Sequence, residues 1–211
     1  MTKSILIFDF DGTIADTFHY IVKIANQLAP QYGYKSIAED ELDNLHDKTA
    51  KEVIAYLKVP LLKIPAILSH AKRIFHDGIN DITLINGLHD VLHELHHRGF
   101  TMGIVSSNAA KNIKSFLDNH DLQIFDFLHS TTKIWSKNHS LAKLIKNKGF
   151  QRERVFYIGD ETRDISAARK CGIQSIAVTW GYNSHNALAA DHPTHIVDTP
   201  QELLQLLTSN A

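Results

Sequence analysis

The stretch Ser4-Ile5-Leu6-Ile7-Phe8-Asp9-Phe10-Asp11-Gly12-Thr13 decides the fold. Its first half is a nearly continuous apolar run, the pattern of a strand buried on both faces of a parallel sheet. The run ends on two aspartates and a Gly-Thr pair, so the strand delivers carboxylates to a turn. Interrupted by Asp9 and followed by Asp11, it does not read as a secretion signal. Three more runs rich in Ile, Val or Phe lie at 101–105, 154–158 and 175–178, with a weaker one at 195–197.

Helical periodicity fills the intervals. Leu88, Val91, Leu92 and Leu95 follow i, i+3, i+4, i+7 and stop at Gly99. Leu141, Leu144 and Ile145 stop at Gly149, and Ile165 and Ala168 precede Gly172. Thr199-Pro200-Gln201-Glu202 opens the last helix as a capping box with proline in the first helical position. Alternating strand and helix predicts an α/β fold, a Rossmann-like parallel sheet covered by helices.

Residues 14–86 break the alternation. They carry no strand pattern but several amphipathic stretches: Phe18, Ile21, Val22, Ala25 and Leu28, then 49–57 behind the capping box Thr49-Ala50-Lys51-Glu52, then 61–75. This interval is far too long for a strand-to-helix loop. It reads as an inserted all-helical domain, with residues 1–13 and 87–211 forming the α/β core.

Composition narrows the function. The chain has 211 residues, 44% hydrophobic and 21% charged, with a net charge of −1. That balance argues against binding nucleic acid through bulk basic charge. One cysteine, Cys171, leaves no disulfide framework and reads as a small packed residue. No apolar run is long enough to span a bilayer, so the expectation is a cytoplasmic protein without membrane or nucleic-acid partners. His93, His96 and His97 have metal-binding spacing but lie opposite the 88–95 apolar stripe, which favours a solvated face. His192 and His195 flank a proline loop and suggest no catalysis.

In an open parallel sheet, ligands bind beyond the carboxyl ends of the strands. Asp9-Phe10-Asp11-Gly12-Thr13 follows the first strand, Ser106-Ser107-Asn108 the second, and Gly159-Asp160-Glu161-Thr162-Arg163-Asp164 the next. Asp9 and Asp160 would repel unless a cation sat between them. Oxygen ligands without His or Cys suggest Mg²⁺, a metal suited to phosphoryl oxygens. Hydroxyl and N–H groups at 106–108, before a helix around 113–117, make an anion cradle. A carboxylate can attack phosphorus, and a second one two residues later can act as acid and base.

Asp9-Phe10-Asp11-Gly12-Thr13-Ile14-Ala15-Asp16 resembles the DxDGTxxD signature of the haloacid-dehalogenase superfamily of phosphohydrolases. Ser106 resembles its second motif, Gly159-Asp160-x-x-x-Asp164 its fourth, and Thr179-Trp180-Gly181-Tyr182 the tail of phosphoglycolate-phosphatase-like members. For the motif lysine, Lys137 is the choice and Lys133 the alternative; Asn138 stands where many relatives have proline. The resemblance implies Asp9 as nucleophile and Asp11 as acid and base, with Mg²⁺ held by Asp9, the Asp11 backbone carbonyl and Asp160. It implies Ser106, with Ser107 and Asn108, on the phosphoryl group, Lys137 balancing charge, and Asp164 steering the lysine or a water. Thr13 and Asp16 would shape the turn. The 14–86 insertion matches the family's helical cap, where Asp47-Lys48 replaces the usual glycine and Lys48 is a candidate substrate contact. The implied activity is hydrolysis of a small phosphomonoester, phosphoglycolate-like, by a monomer or weak dimer. A phosphomutase of the β-phosphoglucomutase type is the enzymatic alternative. A phospho-accepting signalling module fails on the Asp9-x-Asp11 pair, and a dehalogenase has no use for Asp11.

Overall fold

A computed structural model describes residues 3–131 and 137–209. Lys133 lies outside the described residues.

Among the described residues, six strands form one sheet in the order β3-β2-β1-β4-β5-β6, and every neighbouring pair is parallel. They are β1 Ile5–Phe8, β2 Thr101–Ser106, β3 Phe127–Ser130, β4 Val155–Gly159, β5 Gln174–Val178 and β6 His195–Val197. The strand expected from the first apolar run is thus the central one, flanked by β2 and β4. The chain order reverses direction across the sheet between β1 and β4, the kind of place where α/β folds open a crevice. Strand β3 is absent from the sequence reading. Its Phe-Leu-His-Ser stretch is only half-buried, as suits the edge position it takes.

Side-chain alternation sorts β1 between the two faces. Leu6 and Phe8 pack with Met102, Ile104 and the apolar stripe Leu88, Val91, Leu92 and Leu95 of α5 (Leu88–His97). On that face also lie α6 (Ala110–Asn119) and α10 (Pro200–Ser209). Ile5 and Ile7 face Leu141, Leu144 and Ile145 of α7 (Lys137–Lys148) and Ala168 and Cys171 of α8 (Thr162–Cys171). Cys171 is buried, and its Sγ donates to the Asn138 carbonyl. His96 and His97 stand exposed on the far side of α5, and the half-buried His93 reaches the Asp121 carbonyl. No described helix is long and apolar enough to cross a membrane.

Between β1 and β2 the chain is helical: α1 Phe18–Tyr32, α2 Leu42–His46, α3 Ala50–Tyr56 and α4 Ile64–Asp77. The expected box at Thr49 forms, with the Thr49 N–H donating to Glu52 and Thr49 Oγ1 accepting from the Glu52 N–H. Ile24 and Leu28 of α1 and Phe75 of α4 join the core on the Leu6–Phe8 face. Ile37, Leu45 and Leu57 make a smaller cluster of their own. Entry and exit of the insertion are stitched together, the Asp16 N–H donating to the Thr83 carbonyl at 2.9 Å and the Ile85 N–H to the Ile14 carbonyl at 3.0 Å.

One glycine sets how closely β3 can lie. A Cβ on Gly103 would meet the Phe127 ring at 2.0–2.4 Å. Gly103→Ala is therefore expected to destabilise the protein by about 1–3 kcal/mol, as overpacking does. Thermal unfolding followed by circular dichroism measures it, and adding Phe127→Leu should recover part of the loss.

Candidate active site

The carboxyl ends of β1 and β4 bring four acidic residues together. The first is Asp9, 2% exposed, whose N–H extends the β1–β4 pairing by donating to the Ile158 carbonyl. Beyond it the chain turns back on itself. The Phe10 carbonyl accepts from the N–H groups of Thr13, Ile14 and Ala15. Gly12 supplies the turn's left-handed residue at φ +75°, and a Cβ there would lie 2.2 Å from Asp160 Oδ2. Gly181 is held small from the opposite side, since its Cβ would lie 2.3 Å from the same oxygen.

Between these glycines Asp160 is fully buried. Thr13 Oγ1 donates to its Oδ1 at 2.6 Å and the Tyr182 N–H to its Oδ2 at 2.8 Å. Thr13 takes part in the turn through its N–H, and its hydroxyl also holds the Asp160 carboxylate. Asp16 takes part through its backbone, while its side chain is exposed.

Lys137, at the start of α7, inserts its ammonium between two carboxylates, 2.6 Å from Asp9 Oδ2 and 2.6 Å from Asp164 Oδ1. Burial opposes its charge, but Asp164 and Asp9 outweigh it and raise the lysine's pKa above the usual value. Asp164 also accepts from the Glu161 N–H, and so caps its own helix, α8. Burial, then the charge of Asp9, raises the Asp164 pKa against the pull of Lys137.

Asp11 points toward β2. Asn108 Nδ2 donates to both of its oxygens, at 2.9 and 3.2 Å. Asn108 is itself fixed. Its Oδ1 accepts from Asn112 Nδ2, and its carbonyl from Ser130 Oγ. Burial and the neighbouring Asp9 push the Asp11 pKa up to about 7. Ser106 is buried, with its Oγ accepting from the Asn108 N–H at 3.1 Å, and Ser107 is half-buried beside it. The sequence reading counts Asn108 only as an anion donor; here its amide orients Asp11.

The donor set suits a hard cation. Carboxylate oxygens of Asp9, Asp160 and Asp164 lie within 4.8 Å of one another, all buried. Burial first, then the charges of Asp164 and Asp9, push the Asp160 pKa up to about 8. Removing that repulsion is what a divalent cation does. No described residue donates to the backbone carbonyl of Asp11, so this oxygen fits the third ligand position. Asp164 is taken up by Lys137.

The helical insertion closes on the same place. Asn183 Nδ2 donates to the carbonyls of His46 and Lys48, the Ser184 N–H donates to the His46 carbonyl, and His46 Nδ1 donates to the Tyr182 carbonyl. Phe18 stacks on His46 at 4.2 Å and meets the Tyr182 ring edge-on. Lys48 itself turns its ammonium to Asn44 Oδ1 and over the Tyr56 ring, while lining a cavity of about 530 Å³ between the insertion and α8. Tyr182 belongs to a stretch singled out in the sequence. His46, Asn183 and Arg163 were missed; Arg163 sits inside the quoted 159–164 segment, but nothing in the sequence says where its side chain points.

The chain was compared with known proteins. The family model for haloacid dehalogenase-like hydrolase matches residues 6–178. A phosphoglycolate phosphatase of Synechococcus elongatus is 36% identical over 204 residues, covering 96% of both chains. One of Vibrio parahaemolyticus is 25% identical, covering 98% of this chain and 97% of that protein. The pyrophosphatase PpaX of Bacillus mycoides is 23% identical, covering 99% and 98%. The solved structure of a haloacid dehalogenase-like family protein from Streptococcus pneumoniae superposes with a TM-score of 0.84 at 21% identity, covering 98% and 99%, which speaks for the fold alone. With Asp9, Lys137, Asp160 and Asp164 gathered in one buried cluster, the chain belongs to the haloacid dehalogenase-like hydrolase family and is one of its phosphatases.

Proposed function

We propose that this phosphatase hydrolyses a small phosphomonoester of the phosphoglycolate kind through an aspartyl-phosphate on Asp9. The observation that carries the reading is Lys137 bridging Asp9 and Asp164 beside Asp160. The lysine holds Asp9 Oδ2 and leaves the other oxygen for attack at phosphorus. Asp11, with a pKa of about 7, can carry the proton that the departing alcohol needs. It can then take a proton from the water that hydrolyses the phospho-Asp9 bond, releasing inorganic phosphate and restoring both aspartates. Asn108 keeps the Asp11 carboxyl aimed during both steps. Ser106, with Ser107 and Asn108, holds the phosphoryl oxygens, and Lys48 contributes from the insertion.

Mg²⁺ bound by Asp9, Asp160 and the Asp11 carbonyl would neutralise the cluster and polarise the phosphoryl group. Residues 14–86 act as a cap over a core of 1–13 and 87–211, excluding water and choosing the leaving group. The phosphoglycolate-like substrate is supported by the names of the Synechococcus and Vibrio relatives. A monomer or weak dimer in the cytoplasm completes the proposal, in keeping with a single, buried, unpaired cysteine.

Hydrolysis of p-nitrophenyl phosphate should fall to background in excess chelator and return with added Mg²⁺; full activity in chelator overturns the metal assignment.

The two aspartates are separable by intact-protein mass spectrometry after mixing with acetyl phosphate and Mg²⁺. Asp9→Asn is expected to show no phosphate adduct. Asp11→Asn should lose about 10²- to 10⁴-fold in turnover while accumulating an adduct that decays slowly. An adduct on Asp9→Asn alone would reverse the roles.

A further inference from the structure

Arg163 is the second residue of α8, immediately before Asp164. Its Nε donates to the Glu161 carboxylate, which fixes the plane of the guanidinium. An arginine carries five N–H donors, and the remaining four, on the two terminal nitrogens, have no hydrogen-bond partner among the described residues. The side chain is 32% exposed. Arg163 stands in the chain between Asp160 and Asp164, at the start of the helix that carries Asp164, and so lies beside the reaction centre. The side chain also lines the cavity of about 530 Å³, whose insertion wall presents Phe18, Ile21, Val53 and Ile54 together with Lys48 and Lys51.

The direct ion pair to Asp9 is made by Lys137, not by this arginine. With about a third of the side chain exposed, the terminal N–H groups of Arg163 are open to solvent and to whatever enters the cavity. Of the two lysines that line the insertion side, Lys48 is taken up by Asn44 and Tyr56, and Lys51 is exposed. Arg163 therefore stands at the junction between the place where phosphorus reacts and the space open to the organic half of the substrate. A planar fork of this kind matches a carboxylate in two parallel hydrogen bonds.

We propose that Arg163 is the receptor for a carboxylate carried by the leaving group, making this a phosphatase of carboxylated phosphomonoesters whose organic portion lies in the cavity between the insertion and α8. Phosphoglycolate is about the smallest member of that class, and the cavity has room for longer or aromatic ones. The inference rests on the phosphatase reading above and adds what selects the substrate.

The test uses matched esters with and without the carboxylate: phosphoglycolate against ethyl phosphate, and 4-carboxyphenyl phosphate against phenyl phosphate, each with Mg²⁺. The wild-type protein is expected to favour the carboxylated member in kcat/KM by about 10- to 100-fold, the range for a charged bidentate contact. Arg163→Gln should bring that ratio close to one, mainly through KM, and Arg163→Lys should keep an intermediate ratio. Circular dichroism checks that the variants fold. Turnover without preference in the wild type overturns the receptor. So does an Arg163→Gln variant that slows both members equally and keeps the ratio, for the arginine would then act on the carboxylate cluster. Preference in the aryl pair alone sustains the receptor and overturns the phosphoglycolate-sized substrate. Absence of turnover on all four esters overturns the phosphatase reading itself, and the receptor with it.

Discussion

Lys137 sits 5% exposed between Asp9 and Asp164, 2.6 Å from each, and ties α7, the end of β1 and the start of α8 into one unit. Asp9 and Lys137 are 128 residues apart in the chain, so the contact exists only once the sheet has formed. Two buried carboxylates and a buried ammonium are each expensive to remove from water. Together they offset that cost, and losing one partner would leave the others uncompensated. Neutrality is still incomplete, because Asp160 and Asp11 lie next to the pair and repel it. The fold thus crowds four carboxyl groups around one ammonium, the condition that favours a bound cation.

The Trp180–Asn183 loop links this charge cluster to the helical insertion. Its Gly181 lies against Asp160, and its Tyr182 N–H holds one carboxylate oxygen. Tyr182 and Asn183 also take hold of His46 and Lys48 from the insertion. Trp180 Nε1 donates to the Thr13 carbonyl, on the turn that follows Asp9. Residues 46–48 of the insertion are therefore joined to Asp160 through a single short loop. On the other side a second chain of contacts runs from His76 of α4 through Asn112 and Asn108 to Asp11. The insertion reaches both Asp160 and Asp11.

Much of this was legible in the sequence. Buried parallel strands announce themselves by continuous Val/Ile/Leu/Phe runs, so β1, β2, β4 and β5 were found within a residue or so, and the acidic turns after them followed. The failure at β3 is physical. An edge strand is half-covered, and Phe127–Ser130 carries a histidine and a serine where a central strand would be apolar. Only pairing to β2, with Phe127 over Gly103, makes it a strand.

The sequence by itself determined the α/β alternation, the helical insertion after β1, and the chemistry of the groups at the strand ends, because short-range periodicity and residue type report burial and acidity directly. It also pointed to Lys137 and Asp164 through motif order. Only the tertiary structure decided the orientation of each group. Thr13 turned out to hold Asp160, Asn108 to hold Asp11, and Arg163 to face a cavity built half by a distant helix. A hydroxyl or a guanidinium is chosen by what lies within 3 Å of it. That neighbour comes from another strand end or from the insertion, so one-dimensional spacing does not encode it.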